Sequence, residues 1–328
     1  MAPVPPFSEF QVGWICALKA EFEAATLMLD EEYGHPEVTP PNDSNMYLLG
    51  RIGKHNVVVT LLAKFGTTTS AVSISNMIRT FSSGLRFALM VGIGGGIPAP
   101  PAVDIRLADV VVGYPNGASP GVVQYDMLKQ TLSGSERIGA LNNPPPLLLS
   151  FAQAVTAGRA KHRYLEHVQR ALEIDDGEYM ETMGRPGPRT DRLFEAEYDH
   201  PDGQLNCDRC LPEREIHRDP RKNGRPRVHY GTIASGNSVI KNAARREELR
   251  VLAGGALCFE MEAAGMVSEF PCLVIRGICD YADSHKHKAW QGYAALVAAS
   301  FTKELLLRVS AEGVAQQELI VKVLGKPA

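Results

Sequence analysis

The chain has 328 residues, 45% of them hydrophobic and 22% charged, so it can bury a sizeable core and is neither disordered nor fibrous. A formal net charge of -3 excludes the overall basic field that attracts nucleic-acid polymers and acidic membranes. Six cysteines are too few for a disulfide scaffold. The first residues do not resemble a leader peptide and no apolar run reaches membrane-spanning length, so we expect a soluble, cytoplasmic protein.

Strands and helices alternate over the first third of the chain. Short apolar or β-branched runs predict buried strands, and apolar residues at three- and four-residue spacing predict helices. This alternation indicates an α/β layered domain. The predicted elements are a strand at 11–18, a helix from residue 19, strands at 46–52 and 56–62, a helix at 67–80, and strands at 87–91 and 109–112.

Residues 116–227 interrupt this alternation with a triple proline at 144–146 and other Gly/Pro-rich stretches. We interpret them as a large insertion, helical at first and then loop-rich, within one domain that spans 1–328. Two helices are predicted inside the insertion, at 147–156 and 160–173. The alternation of strands and helices returns after the insertion, with a strand at 229–234, a helix at 239–252, a strand at 272–277 and a helix at 290–309.

Glycines at positions 92 and 94–96 follow the strand at 87–91, where missing side chains let a ligand approach backbone N–H groups. A dinucleotide motif, G-x-G-x-x-G, starting at Gly92 would put Ile97 at its third glycine, and Pro98 prevents the helix that must follow. The glycines therefore indicate a different ligand. Tight packing at the strand exit is the structural alternative.

Carboxylates stand at the ends of three apolar segments. Glu21 follows the first strand, Glu260 and Glu262 flank Met261, and Asp280 follows the strand at 272–277. In α/β domains, ligands bind at the carboxyl ends of such strands. On a strand Glu260 and Glu262 would face opposite ways, which predicts one carboxylate in a pocket and the other in solvent. The structural alternatives are a helix-terminus charge for Glu21 and a turn cap for Asp280.

Five segments resemble the purine nucleoside phosphorylase and methylthioadenosine nucleosidase superfamily, and its fungal branch most closely. They read ICALKAEFEA, MVGIGGGIP, HYGTIASGN, CFEMEAAG and VIRGICDYAD, in the family's order within residues 12–112 and 228–308. The resemblance implies a single three-layer α/β domain with a mixed central β-sheet flanked by helices. It also implies an enzyme that cleaves the N-glycosidic bond of a purine nucleoside or nucleotide.

The resemblance further implies roles for individual residues. Asp280 matches the acid that protonates purine N7, Glu262 the group that binds the ribose 2′- and 3′-hydroxyls, and Glu21 the group that activates the attacking water. The chemistry is consistent, because negative charge builds on the departing purine and positive charge on the ribose. The remaining matches are substrate-binding: Gly94 and Gly95 beneath the ribose, Val239 and Ile240 at the base edge, and Phe259 and Met261 beside the nucleoside.

The nucleophile separates two enzyme classes within this resemblance. Phosphorylases of the family bind phosphate through arginines, one of them in the N-terminal loop, whereas here Glu21 and Glu23 would repel an anion. Water is therefore favoured, and the predicted enzyme is an N-glycosyl hydrolase that requires no cofactor. Phosphorolysis, with phosphate held by Arg51, Arg79 or Lys64, is the runner-up.

Six basic residues against two acidic ones lie between Arg214 and Arg227, directly before HYGTIASGN. Arginines that reach the 5′ end of the substrate would favour a nucleotide such as ATP over an unphosphorylated nucleoside. The non-catalytic alternative is a nucleoside- or nucleotide-sensing module, because similar fungal domains occur fused to signalling regions. We expect a small-molecule purine ligand and a homo-oligomer, and neither a nucleic-acid polymer nor a membrane as partner.

Cys207 and Cys210 form a Cys-x2-Cys pair in the predicted insertion, preceded by His200 and followed by His217. Two thiolates and two imidazoles can bind zinc tetrahedrally and staple a loop-rich segment. Cys207, Cys210 and His200 are therefore candidate ligands of a structural zinc ion. A redox pair is disfavoured because no strand-to-helix start surrounds the cysteines.

Overall fold

A large mixed β-sheet flanked by helices forms the molecule. The computed structural model describes residues 4–132, 134–174, 178–201, 206–268, 270–286 and 288–325. The strands are β1 Phe10–Cys16, β2 Glu31–Gly34, β3 Met46–Ile52, β4 His55–Leu61, β5 Phe87–Gly96, β6 Val110–Gly113, β7 Val122–Gln124, β8 Leu128–Thr131, β9 Gly134–Arg137, β10 Val228–Gly231, β11 Ile233–Ser235, β12 Cys258–Glu260 and β13 Cys272–Asp280.

Helices separate some of these strands and follow one another within the 116–227 stretch and at the end of the described chain. Short 3-10 turns lie at Phe7–Glu9, Pro188–Thr190 and Pro212–Arg214. The α-helices are α1 Lys19–Leu27, α2 Thr67–Thr80, α3 Pro146–Val155, α4 Tyr164–Leu172, α5 Glu178–Met183, α6 Ala243–Leu252, α7 Ala264–Val267, α8 Trp290–Arg308, α9 Ala311–Ala315 and α10 Ile320–Leu324.

The sheet runs in the order β10-β6-β13-β5-β1-β4-β3-β2, and its central strands β13, β5, β1 and β4 are parallel to one another. β5 also pairs antiparallel with β12, which continues through β11 to β7. Helix α8 packs on β13 and β5 and is buried along most of its length. Since parallel neighbours end at the same edge of a sheet, β1, β5 and β13 bring their carboxyl ends together there.

Two local predictions are wrong in instructive ways. The glycines at 92 and 94–96 lie within β5 rather than after it, because β12 and β13 hydrogen-bond to this backbone from its two sides. The helix predicted from residue 239 begins at Ala243, where the side chain of Asn242 accepts a hydrogen bond from the Arg245 N–H. Val239 therefore stands in the loop before the helix.

Residues 116–227 contain elements of two kinds. Strand β7 pairs with β11 and extends the main sheet, whereas β8 and β9 form a separate two-stranded sheet. Helices α3, α4 and α5 pack on α8. The boundaries of the insertion and the single-domain assignment stay predictions. Among the helices in the described residues, none combines the length and apolar character needed to cross a lipid bilayer.

Candidate active site

One cavity of about 220 Å³ lies at the carboxyl ends of β1, β5 and β13. It contains all nine residues predicted to react with or bind the substrate, although they come from distant parts of the sequence. The sheet topology alone brings them together. They are Glu21, Gly94, Gly95, Val239, Ile240, Phe259, Met261, Glu262 and Asp280.

Asp280 is the last residue of β13, and its carboxyl group is fixed by two neighbours. One oxygen accepts a hydrogen bond from the Ala282 N–H at 2.8 Å, and Nζ of Lys286 lies 3.0 Å from each oxygen. The first contact makes Asp280 a turn cap, as its structural alternative predicts. The second is an ion pair that places an ammonium group beside the predicted acid.

Glu262 lines the same cavity and lies just after β12. Its Oε1 accepts a long hydrogen bond of 3.4 Å from the N–H of Gly66, and Nη2 of Arg276 lies 3.4 Å from its other oxygen. Burial raises the pKa of Glu262 to about 7, opposed by Arg276 and reinforced by the negative charge of Glu260. The carboxyl group is thus held only loosely by its protein partners.

The prediction that only one of Glu260 and Glu262 would be buried is wrong, since each is 5% exposed. β12 ends at Glu260, so the chain turns instead of alternating, and both carboxylates meet the guanidinium of Arg276. Arg276 is fully buried in β13, and its Nη1 has no hydrogen-bond partner. Sequence reasoning missed Arg276, although a lone cation inside CLVIRG requires a buried anion.

Glu21 lies at a helix terminus, as its structural alternative predicts, and it also lines the cavity. Its Oε2 accepts hydrogen bonds from the N–H groups of Ala17 and Leu18 at the start of α1, and Oε1 accepts one from Ile93 at 2.8 Å. It is 3% exposed, and burial raises its pKa against the opposing effects of Arg276 and these N–H groups. Glu21 therefore caps a helix and also faces the cavity.

The glycines of β5 make room for these carboxylates. A Cβ atom on Gly95 would stand 2.9 Å from Oδ1 of Asp280, and one on Gly94 would stand 2.8 Å from the Phe259 carbonyl oxygen. A Cβ atom on Gly92 would stand 2.3 Å from Oε1 of Glu21. The glycine run therefore serves close side-chain approach, which is neither dinucleotide binding nor merely a strand exit.

The other end of the cavity is apolar. Phe259 packs edge-on against Tyr125 with ring centroids 5.5 Å apart, and Ile240 is 8% exposed. Val239 is 54% exposed, so its side chain borders the opening. A flat ring with a polar edge can lie here and meet the backbone of the 238–240 loop. The lining residues that sequence reasoning did not identify include Phe65, Ser238, Lys286 and Gln291.

The basic run between Arg214 and Arg227 does not line this cavity. Arg218 instead donates to Asp191, and Arg221 donates to Asp109. Several of these residues border a different cavity of about 610 Å³ that shares no lining residue with the first. The structure therefore gives no support to the expectation that these residues reach the 5′ end of a substrate, since Asp191 and the buried Asp109 hold Arg218 and Arg221 outside the cavity.

The cysteine pair also lies outside the cavity. Ligand atoms of His200, Cys207 and Cys210 lie within 4.8 Å of one another. His217, by contrast, is not part of this group: its side chain is 88% exposed and lies 3.6 Å from the carboxylate of Asp219. Of the two histidines considered, the structure brings only His200 to the cysteines.

No protein-family model matches the chain. A nucleotide-binding leucine-rich repeat (NLR)-like protein of Hyaloscypha variabilis is 45% identical over 315 residues, which are 95% of this chain and 30% of that protein. The ATP nucleosidase Cap17 of Escherichia coli is 38% identical over 84 residues, 24% of this chain and 17% of that protein. The chain thus matches less than a third of the length of either relative.

The 5′-methylthioadenosine/S-adenosylhomocysteine nucleosidase of Neisseria meningitidis, solved in complex with methylthio-immucillin-A, superimposes on the chain with a TM-score of 0.57. The match is 17% identical and covers 91% of this chain and 99% of the nucleosidase. At this identity the comparison concerns architecture. The mixed α/β arrangement described above is therefore the fold that this nucleosidase has.

Proposed function

We propose that the chain is a purine N-glycosidase that hydrolyses the bond between the base and the ribose of a purine nucleoside or nucleotide. One observation carries the proposal: Glu21, Glu262 and Asp280 converge on one cavity with an apolar end. A site that only binds a nucleoside needs neither an acid at one end nor a buried base at the other. Fold similarity to a nucleosidase and the partial match to an ATP nucleosidase support the same class of reaction.

In the proposed reaction the bond from ribose C1′ to purine N9 breaks and its electron pair moves onto the purine. Asp280, in its carboxylic acid form, delivers a proton to N7, and Lys286 hydrogen-bonds to the same carboxyl group at 3.0 Å. A water oxygen forms the new bond to C1′, and Glu21 accepts the proton that the water loses. The products are the free purine and a ribose or ribose 5′-phosphate ester.

The ribose lies beside Glu262 in this arrangement. A carboxylate there accepts hydrogen bonds from both ribose hydroxyls and stabilises the positive charge that develops on the sugar. Arg276 contacts Glu260 and Glu262 but does not line the cavity, so it acts as a positioning residue. Its charge also limits the repulsion between the two neighbouring carboxylates.

Water is the nucleophile that these surroundings favour over phosphate. Among the described residues lining the cavity, Lys286 is the sole cation and it is paired with Asp280. Of the cations considered for phosphate, Arg51 bonds to Glu31 and Arg79 to Asn76, and neither lines the cavity. Two buried acids without a free arginine disfavour a phosphate dianion.

The proposal includes phosphorylated substrates such as ATP. This does not depend on the basic run between Arg214 and Arg227, which does not line the cavity. A third cavity, of about 390 Å³, adjoins the substrate cavity. The two share Ala17, Leu18 and Phe65, and Lys19 and Lys64 border the third cavity. A 5′ extension that leaves the ribose on this side meets the ammonium of Lys64, whereas Lys19 is paired with Glu23 at 3.1 Å. The partial relative named as an ATP nucleosidase supports the same substrate class.

Product analysis tests the proposal. The purified protein is incubated with adenosine, inosine and ATP, each with and without inorganic phosphate, and the base and sugar products are separated. We expect free purine together with ribose or ribose triphosphate, formed at the same rate without phosphate. Release of ribose 1-phosphate that requires added phosphate would establish the phosphorylase instead.

The non-catalytic alternative predicts a different result in the same experiment. A sensing module would bind one of these ligands with a measurable Kd and return it unchanged. Since the chain corresponds to 30% of a longer NLR-like relative, this alternative has a specific basis. We also propose that the chain assembles as a homo-oligomer, which sedimentation of the purified protein measures directly.

A further inference from the structure

We propose that the cluster of His200, Cys207 and Cys210 binds a zinc ion, with His285 as the fourth ligand, and that the ion fastens this segment to the loop behind Asp280. The inference is independent of the proposed reaction. It rests on the spacing of the ligand atoms, on the turn that presents the two thiols, and on a buried imidazole without a partner.

The three side chains already have the separation of a metal site. Their ligand atoms lie within 4.8 Å of one another, so a single ion can lie between them. Both ring nitrogens of His200 now contact carbonyl oxygens, Nδ1 that of Pro201 and Nε2 that of Asn206, so the ring must give up one of these contacts to bind the ion. Cys207 and Cys210 are both free, and Cys210 is 3% exposed. Two thiolates with imidazole nitrogens form a ligand set that zinc prefers over harder cations such as magnesium.

The backbone between the cysteines forms a compact turn. The N–H of Cys210 donates to the Cys207 carbonyl oxygen at 3.0 Å, which directs both thiols to the same side. Arg192 supports this turn by donating to the carbonyl oxygens of Cys207 and Cys210, while its guanidinium stacks over Phe194 at 4.7 Å. The cysteines are therefore held in place through their backbone, while the Cys207 thiol donates to the His285 carbonyl oxygen at 3.8 Å. Loss of the thiol proton on metal binding would release this contact.

The ring of His285 supplies the observation that points to a ligand. Its side chain is 3% exposed, and neither ring nitrogen has a hydrogen-bond partner. It stacks on Phe194 with centroids 4.2 Å apart and lies 5.3 Å from the ring of His200. Its nitrogens lie outside the 4.8 Å group formed by the other three side chains, so the ring has to move toward them to bind the ion. A buried imidazole with two unused nitrogens is costly, and a metal bond would satisfy one of them.

The charged and titratable groups around His285 are compatible with this assignment. Asp283 lies 3.9 Å from Nδ1 of His285 and is itself bound by the backbone N–H of His285 and by Arg246. The hydroxyl of Ser284 links the N–H of His200 to the carboxylate of Asp199. At this distance the carboxylate makes no hydrogen bond to the ring, so both nitrogens stay free for a metal.

The site joins two parts of the chain that are distant in sequence. His200 and the cysteines belong to the 116–227 stretch, whereas His285 precedes Lys286, whose ammonium contacts Asp280. A bound ion would therefore restrict the loop that presents Lys286. Binding to the folded chain alone would also raise its unfolding temperature, because the unfolded chain has no preformed site.

Metal analysis of the protein as purified is the first test. We expect about one zinc ion per chain in a four-ligand site. Replacing zinc with cobalt should give the visible absorption of tetrahedral cobalt with thiolate ligands. Removal of the ion by a chelator should lower the unfolding temperature, and added zinc should restore it. A zinc-free protein that does not take up zinc or cobalt would overturn the proposal, as would a Cys207–Cys210 disulfide in the freshly isolated protein.

Matched variants assign the ligands. Cys207→Ser and His200→Ala should lose bound zinc, and His285→Gln should lose most of its affinity, while His217→Ala should keep the wild-type content because His217 is exposed and outside the cluster. If Cys207→Ser fails to fold, cobalt uptake by the wild-type chain still tests the site. Wild-type zinc affinity in His285→Gln would remove His285 from the ligand set. Equal zinc content in His200→Ala and His217→Ala would contradict the assignment of His200.

Discussion

Two clusters of buried charge are built from similar residues but differ in balance. The cavity cluster consists of Glu21, Glu260, Glu262 and Arg276, so one guanidinium faces three carboxylates. The edge cluster consists of Asp104, Asp109, Arg221 and His229 at the β6–β10 side of the sheet, where Asp109 alone accepts five hydrogen bonds. Asp109 is buried as deeply as Glu21 and Glu262, so the difference between these carboxylates lies in how well each charge is matched.

The pKa values follow this balance. Burial opposes the charge on Asp109, but hydrogen bonds from Arg221 and His229 outweigh it and lower the pKa of the carboxyl group. In the cavity cluster burial dominates and raises the pKa values of Glu21 and Glu262. The edge cluster is therefore arranged for stability. The cavity cluster contains Glu262, whose pKa of about 7 allows proton exchange near neutral pH, and shifts of this kind are frequent at catalytic sites.

Asp280→Asn should have the largest effect on turnover and little effect on folding. The amide keeps the hydrogen bond from Ala282 but has no acidic proton to donate. We expect kcat to fall by about 10²–10⁴-fold, while the Kd for substrate changes by a few-fold at most. Fixed-time product assays measure kcat, and titration calorimetry measures the Kd. A kcat near that of the wild type would remove Asp280 from the acid role.

Asp109→Asn tests the other side of the comparison. Arg221 and His229 would lose a fully buried anion, and breaking a buried pair in this way costs about 3–5 kcal/mol of unfolding free energy. Turnover per folded molecule should remain unchanged, since Asp109 does not line the cavity. Denaturant titration gives the free energy, with Asp219→Asn as an exposed control. A loss of kcat without a loss of stability would reverse the roles assigned to the two clusters.

The fold and most of the cavity could be predicted because their signals are local. Apolar runs mark β1, β5 and β13, and carboxylates at their ends are conspicuous where no polar group is expected. Predicted strands therefore carried Glu21, Glu262 and Asp280 to one edge. The bounds of α2 and β3 also agree with the spacing of apolar residues.

What could not be predicted depends on long-range pairing. Arg218 and Arg221 look like a solvated basic run, and only the tertiary structure brings Asp191 and Asp109 to them. Lys286 lies six residues beyond Asp280 in a polar loop, so nothing in its local pattern indicates contact with the acid. The convergence of Glu260 and Glu262 on Arg276 likewise requires β12 to end where it does.

Glu21→Gln separates the two roles of Glu21 within the cavity cluster. If Glu21 is the base that activates water, the substitution should lower kcat by about 10²–10³-fold. If Glu21 is only a helix cap, the substitution should cost only about 0.3–1 kcal/mol of stability. An amide keeps the volume of the side chain and one accepting oxygen for the N–H groups at Ala17 and Leu18. Glu23→Gln on the same helix is the matched control, because Glu23 pairs with Lys19 outside the cavity. Equal turnover in Glu21→Gln and Glu23→Gln would show that Glu21 acts only as a helix cap.

Glu262→Gln should make the protein more stable and a poorer enzyme at the same time. A carboxyl group whose folded pKa is raised favours folding while it is protonated, and this contribution is lost as the pH rises through about 7. Removing the charge should therefore increase the unfolding free energy at pH about 8 by about 1–3 kcal/mol and by much less at pH about 5. The same variant should bind ribose less well, so its kcat/KM should fall for ribonucleosides more than for 2′-deoxynucleosides. Denaturant midpoints at the two pH values, beside the exposed control Glu166→Gln, give the first quantity. If Glu262→Gln instead lowers the unfolding free energy equally at both pH values, then Arg276 neutralises the charge of Glu262 as fully as Arg221 neutralises that of Asp109.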